Sequence, residues 1–207
     1  PGFSVVVLDD KGKEISRGKM GNLAIKLPLP PGCSSAIWND KERFQKAYLN
    51  KYKDYYDTSD AGIINEKGYI FVMSRTDDII NCAGHRLSTG SIEEILTFHS
   101  DVAECAVVGL KDNIKGEIPV GLLVLSNSPN KSDKEIIDET IMLVREKLGP
   151  VASYKKSIII KALPKTRSGK ILRSTVGKIL NKVDYKIPAT IEDIKTIDFV
   201  KNLVSKL

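Results

Sequence analysis

Nothing in this sequence reads as a membrane span, a disulfide framework or a zinc site. No apolar run approaches the about 18 residues of a spanning helix. Cysteine is scarce: Cys33, Cys82 and Cys105 are far apart, odd in number and without a C-x-x-C spacing. That excludes a bridged scaffold and points to a reducing, intracellular setting. The two histidines, His85 and His99, have no second Cys or His at ligand spacing, so zinc is excluded as well. The chain opens Pro1-Gly2-Phe3, with no Met, no charged leader and no apolar leader core. It reads as cut from a longer protein, any targeting segment lying upstream. Internal repeats and low-complexity tracts are also lacking.

What is present is ordinary for a packed, soluble chain of one domain or two small ones: 42% hydrophobic and 28% charged residues. The net charge of +6 is unevenly spread, because residues 151–186 carry ten Lys/Arg against the single acid Asp184. Such a stretch suits an anionic partner: a phosphorylated cofactor, a nucleic acid or an acidic protein face. A solvated face is the plainer alternative.

Phe3–Leu8 and Asn22–Leu27 read as strands, and Pro28-Leu29-Pro30-Pro31-Gly32 as a loop. Asp40 caps a helix in which Phe44, Ala47 and Tyr48 share a face. Tyr55–Gly62 reads as a polar loop, followed by a hairpin of Gly62–Asn65 and Tyr69–Met73. Ser74–Asp78 is a polar break, after which strands and helices alternate. Capping boxes at Ser91/Glu94 and Ser132/Glu135 open helices ending near Phe98 and Leu148. Val102–Leu110, Ile118–Leu125 and Ser157–Leu163 are strands, and Ile171–Lys182 is a basic helix with Ile171, Leu172, Val176, Ile179 and Leu180 inward. Cys105 is then a buried small hydrophobe. The expected class is α+β. A β-rich remnant over 1–76 precedes a small mixed three-layer α/β domain over 77–186, and 187–207 form a peripheral tail.

Two segments could carry chemistry. Ser168-Gly169 places Lys170 at the end of a loop before a helix, where an ammonium can meet a phosphate or carboxylate oxygen. The spacing is not that of a Walker A loop, and a surface loop is the alternative. Ala83-Gly84 lets backbone approach a ligand, with Arg86 beside it as a phosphate partner, or it is simply a tight turn. Asp60 could accept hydrogen bonds from two ribose hydroxyls, reinforced by Arg75.

Four motifs in order, Thr58–Gly62, Ser74–Asn81, Ala83–Leu87 and Leu163–Lys170, resemble the adenylate-forming superfamily that includes acyl-CoA synthetases, firefly luciferase and peptide-synthetase adenylation domains. The resemblance covers essentially the whole chain. Gly84-His85-Arg86, Gly149-Pro150-Val151-Ala152 and Arg167-Ser168 point to the acetyl-/propionyl-CoA synthetase branch. Pro30-Pro31-Gly32, Tyr55–Thr58, Tyr185-Lys186-Ile187 and Thr190–Asp193 lean towards its short-chain, propionate-preferring members.

The resemblance implies a carboxy-terminal piece of an AMP-forming ligase whose small domain rotates between acyl-AMP formation and acyl transfer to CoA. It assigns Lys170 to adenylation and makes it a target of a lysine acetyltransferase and deacetylase. Asp60 and Arg75 would bind ATP or AMP, and Arg86 the nucleotide phosphate. Ala83, Gly84 and Arg145 would bind CoA, although Ala83 replaces a common Ser. Asp77 would be the hinge, and Thr97, His99 and Val102 a peripheral cation site built largely of backbone oxygens. ATP, CoA, a short carboxylate, Mg²⁺ and the protein's own amino-terminal domain are the implied partners, and the mitochondrial matrix or cytoplasm the implied location.

The phosphate loop, the Thr-Glu adenine and Mg²⁺ motif and the acyl pocket are missing from the sequence. The chain is therefore expected to be inactive alone, with the main Mg²⁺ site upstream. Acetate is the alternative acyl substrate. A nucleic-acid module would need aromatics among its basic residues, yet Tyr154 and Tyr185 lie only at the ends of the basic stretch. A domain that merely docks partners is the remaining alternative.

Overall fold

Polar side chains that bond back to the backbone conceal a strand at the centre of the amino-terminal sheet. The computed structural model describes residues 2–204, in two units, Pro1–Asp77 and Asp78–Leu207. In the first, β1 (Val5–Leu8), β2 (Met20–Lys26), β3 (Tyr55–Ile64) and β4 (Ile70–Arg75) form one antiparallel sheet in that order. Tyr55–Gly62, expected as a loop, is thus strand. Leu23 pairs with Asp60 and Ala24 with Asp57, which leaves Thr58 and Ser59 bulged out of the ladder. The bulge satisfies its own polar groups: the Thr58 hydroxyl donates to Leu23 O (2.7 Å), and Ser59 N–H donates to Asp57 Oδ1 (2.9 Å). Helix α1 (Lys41–Tyr48) starts at Asp40, whose carboxylate accepts from Arg43 N–H (3.0 Å). Phe44 is buried, but Ala47 is exposed rather than inward, because only one side chain per turn of so short a helix reaches the sheet.

In the second unit the first two strands were not expected at all. β5 (Ile79–Cys82) and β6 (His85–Ser88) pair through a two-residue turn, each too short to show an alternation. Helix α2 (Thr89–Leu96) is capped by Ser88, not Ser91: the Ser88 hydroxyl accepts from Ser91 N–H (3.4 Å). β7 (Val102–Asp112) and β8 (Gly116–Leu125) form a long hairpin. Helix α3 (Asp133–Leu148) opens with the reciprocal Ser132/Glu135 capping box and ends before Gly149 (φ 79°). It crosses over to β9 (Lys156–Ile159), which runs parallel to β8, as a helical crossover permits. α4 (Arg173–Leu180) and α5 (Lys195–Lys201) follow. Both α4 and β9 are shorter than expected: Ile171 bridges to Lys165 and residues 181–182 turn, while Ile160 and Leu163 follow the end of β9 yet stay buried in the second core.

The sheet order is β6-β5-β8-β7, with β9 also on β8. Alternate residues feed cores on opposite faces. Cys105, Val107 and Leu123 join residues of α2 and α3, whereas Ala106, Val108 and Leu122 join Val176 and Ile179 of α4. This is the expected three-layer arrangement. The stretch after 186 is not peripheral, however. Ile197, Val200 and Leu203 are buried in the second core at 1%, 0% and 5% exposure. Their apolar spacing closes that core only once α4 is in place; residues 205–207 of the expected tail lie outside the described part. Cys105 is buried as expected, and desolvation pushes its thiol up to about 12. Among the described residues no helix is long and apolar enough to cross a membrane.

Candidate functional site

The β3–β4 ladder sets Asp60 directly across from Arg75. The Arg75 guanidinium lies 3.4 Å from Asp60 Oδ1 and 3.7 Å from Asp77 Oδ1, and also donates to Thr58 O (3.3 Å). The bulge, absent from any periodicity, lies just before Asp60, whose N–H donates to Thr58 Oγ1 (3.1 Å). The Asp60 side chain keeps 33% exposure, so the carboxylate can still accept from hydroxyls of a ligand. Asp77 closes the first unit in the 3₁₀ turn Thr76–Asp78.

In the second unit Ala83 and Gly84 form the β5–β6 turn with φ of 48° and 83°. Two positive φ values match the twist of the flanking strands, and glycine takes the second without a Cβ. Ala83 N–H is held by Lys115 O (2.8 Å), and a Cβ on Gly84 would meet open space. Arg86 is half-buried on β6 opposite Asn81.

Lys115 leads from this turn into a groove of about 610 Å³ lined by Arg145, Gly149, Ser153, Lys155 and Ile141. Arg145 comes from the last turn of α3, and Lys115 Nζ donates to Ser153 Oγ (2.8 Å). Among the described residues, three cations and no carboxylate line the groove, so it attracts an anion. Lys115, Ser153 and Lys155 were not singled out from sequence. Lys115 sits in a short hairpin turn, where a lone lysine gives no signal until the fold sets it beside Arg145.

Lys170 ends a tight turn rather than leading directly into a helix. Residues Lys165 and Ile171 bridge, Thr166 N–H donates to Lys170 O (2.8 Å), and Lys170 N–H donates to Thr166 Oγ1 (3.1 Å). Gly169 supplies the positive φ (82°) at the tip. The turn leaves Lys170 exposed, and its ammonium forms no ion pair or hydrogen bond among the described residues. Just beyond, Arg173 and Glu93 make a two-pronged pair (2.8 and 2.6 Å) that ties α4 to α2. Among the described residues no hydrogen bond or ion pair joins the Lys170 side chain to the lining of the Lys115–Arg145 groove.

Thr97, His99 and Val102 lie in the segment from the end of α2 to the start of β7. Both His99 ring nitrogens are engaged, Nε2 with Glu139 Oε2 (2.9 Å) and Nδ1 accepting from Asp101 N–H (3.2 Å). His99 O accepts from Val102 N–H (3.0 Å). Among the described residues no cluster of three or more His, Cys, Asp or Glu could hold a metal. A cation here would have to rest on backbone oxygens.

The family model for the AMP-binding enzyme C-terminal domain matches residues 91–170. The mouse (Mus musculus) protein "Acyl-CoA synthetase short-chain family member 3, mitochondrial" is 45% identical over 206 residues, covering 100% of this chain and 30% of that protein. Acetyl-coenzyme A synthetase of Pyrobaculum arsenaticum is 36% identical over 207 residues, covering 31% of its length. The chain thus spans about 30% of the relatives it matches. Acetoacetyl-CoA synthetase from Streptomyces lividans shares the fold, with a TM-score of 0.82 at 20% identity over 99% of this chain and 31% of that one. Residues 91–170 thus match the AMP-binding enzyme C-terminal domain, and the chain is similar along its whole length to part of the short-chain acyl-CoA synthetases.

Proposed function

We propose that the chain is the carboxy-terminal part of an AMP-forming short-chain acyl-CoA synthetase that prefers propionate, with acetate as the nearest alternative. The observation that carries this reading is the braced turn presenting the Lys170 ammonium without a partner among the described residues, within the family-matched segment.

In the first step a carboxylate oxygen attacks the α-phosphorus of ATP and pyrophosphate leaves, giving acyl-AMP. Negative charge grows between carboxylate and phosphate, and a pre-positioned ammonium at Lys170 stabilises it. Asp60 accepts from the ribose hydroxyls, Arg75 steadies that carboxylate, and Arg86 meets the nucleotide phosphate. In the second step the CoA sulfur attacks the acyl carbonyl and AMP leaves. Ala83 and Gly84 line the path of the CoA arm, and the Arg145 groove takes a CoA phosphate, joined there by Lys115 and Lys155. Asp77 is the hinge between the two steps, since a short turn outside sheet and helix can absorb a large dihedral change.

Mg²⁺ belongs mainly to the upstream region, where it would neutralise phosphate charge; Thr97, His99 and Val102 offer only a peripheral site of backbone oxygens. Acetylation of Lys170 would remove the charge that adenylation needs. The mitochondrial matrix or the cytoplasm would be the site of action.

The full-length protein tests this reading. Acyl-CoA formation with acetate, propionate and butyrate should give the highest kcat/KM for propionate. Lys170→Gln should lower carboxylate-dependent ATP–pyrophosphate exchange by about 100-fold or more, the scale of losing one charge-stabilising group. Unchanged exchange in that variant refutes the catalytic reading.

A further inference from the structure

The segment after α4 is tied to the lysine turn as well as to the core. Arg167 N–H donates to Thr190 O (2.9 Å), Glu192 N–H donates to Lys165 O (2.9 Å), and Thr166 forms an antiparallel bridge with Ile191. With the Lys165–Ile171 bridge this makes a three-stranded miniature ribbon. Its middle strand leads into the Lys170 turn, and one outer strand is the 190–192 segment. On the free side of such a two-stranded turn, a backbone N–H and C=O would otherwise stand unpaired and water-exposed, and an isolated hairpin of this size is marginally stable. The segment takes both groups.

The segment is itself held from two sides. Tyr185 and Ile191 pack on the core that contains Leu163, Val176 and Ile179, and beyond them Ile197, Val200 and Leu203 are buried in it. Lys165 is fixed independently, its ammonium 2.6 Å from Glu104 Oε1 on β7. The lysine turn is thus clamped at its base from β7 and along its edge from residues 190–192, while its tip stays exposed.

We propose that residues 190–192 are a positioning clasp for Lys170. They hold the turn in its reactive shape before substrate arrives, and so act on the adenylation step but not on acyl transfer to CoA. The proposal rests on the reading of Lys170 as the adenylation lysine. The physical ground is that small misplacement of a charge-stabilising group loses much of its effect, about 100-fold for 1 Å. A turn that must order itself on every turnover is correspondingly slower.

The test uses the full-length protein. Glu192→Pro deletes the N–H that holds Lys165 O and alters an exposed side chain, whereas Glu192→Ala leaves the N–H in place. Glu192→Pro should slow ATP–pyrophosphate exchange by about tenfold, should leave acyl transfer from supplied acyl-AMP to CoA within about twofold, and should not change the KM for CoA. Glu192→Ala should match the unaltered protein. Hydrogen exchange gives a readout independent of activity: in the unaltered protein the Arg167 amide should exchange at least about 100-fold more slowly than in an unfolded peptide. Equal effects of Pro and Ala, or parallel loss of both half-reactions, would overturn the clasp, as would an unprotected Arg167 amide. If Glu192→Pro does not fold, the amide measurement alone decides. Should Lys170→Gln leave pyrophosphate exchange intact, the reading of Lys170 itself fails, whereas loss in Lys170→Gln with none in Glu192→Pro removes only the clasp.

Discussion

Glu93 holds two elements at once, and its removal should cost more than removal of its partner. One oxygen, Oε1, accepts from Val107 N–H (2.8 Å) and Arg173 Nε (2.8 Å), and the other from Arg173 Nη2 (2.6 Å). The side chains retain 12% and 29% exposure, so the pair is mostly shielded from water. The same hydrogen bonds raise the Arg173 guanidinium above its ordinary value, so it stays charged at any working pH. In Glu93→Ala the strand amide of Val107 and the guanidinium both lose their acceptor. An unsatisfied buried amide costs about 1–3 kcal/mol. Stripping a shielded charge of its partner costs about 3–5 kcal/mol when fully buried, and about half of that here given the exposure of Arg173. The expected loss for Glu93→Ala is therefore about 3–4 kcal/mol, and for Arg173→Met about 1–2 kcal/mol, because Glu93 then still serves Val107. Urea unfolding of the 207-residue chain followed by far-ultraviolet circular dichroism gives both values, and the double variant gives the coupling. Equal losses in the two single variants, or a loss below about 1 kcal/mol for Glu93→Ala, would refute the shared-acceptor account.

Lys115→Ala keeps the carbonyl that holds Ala83 but removes one cation from the groove; KM for CoA should rise about tenfold, the scale of one charge-assisted hydrogen bond, while pyrophosphate exchange is unchanged. The effect should vanish with dephospho-CoA, and persistence there would show that the lysine does not meet the 3′-phosphate. At pH 8 a thiol reagent should modify half-exposed Cys33 and leave Cys82 and Cys105 untouched until the chain unfolds. The Cys105 thiol, raised to about 12, keeps its proton in the folded state after an unfolded thiol ionises near pH 8.5. Its contribution to stability is thus complete below about pH 8.5 and declines from there towards pH 12. Rapid modification of Cys105 in the folded chain would contradict its burial.

The sequence by itself determined the class of the fold, the long elements and the chemistry-bearing motifs. Val102–Leu110 and Ile118–Leu125 are long enough for alternation to speak, and Ser132 with Glu135 states a helix start in local hydrogen bonding alone. Lys170, Asp60 and Arg86 are candidate site residues on the order of the motifs alone. The tertiary structure decided what depends on partners distant in the chain. Tyr55–Gly62 is strand because a bulge lets Thr58 and Ser59 leave the ladder at Leu23. Ala83 and Gly84 make a hairpin because β8 and Lys115 O receive β5. Lys115 joins Arg145 in an anion-ready groove only through the path of α3. The stretch after 186 looked peripheral because short, mixed sequence carries little periodicity. Yet Ile197, Val200 and Leu203 close a core, and residues 190–192 complete an edge, since buried apolar surface and unpaired backbone groups must be satisfied by whatever segment the fold brings to them.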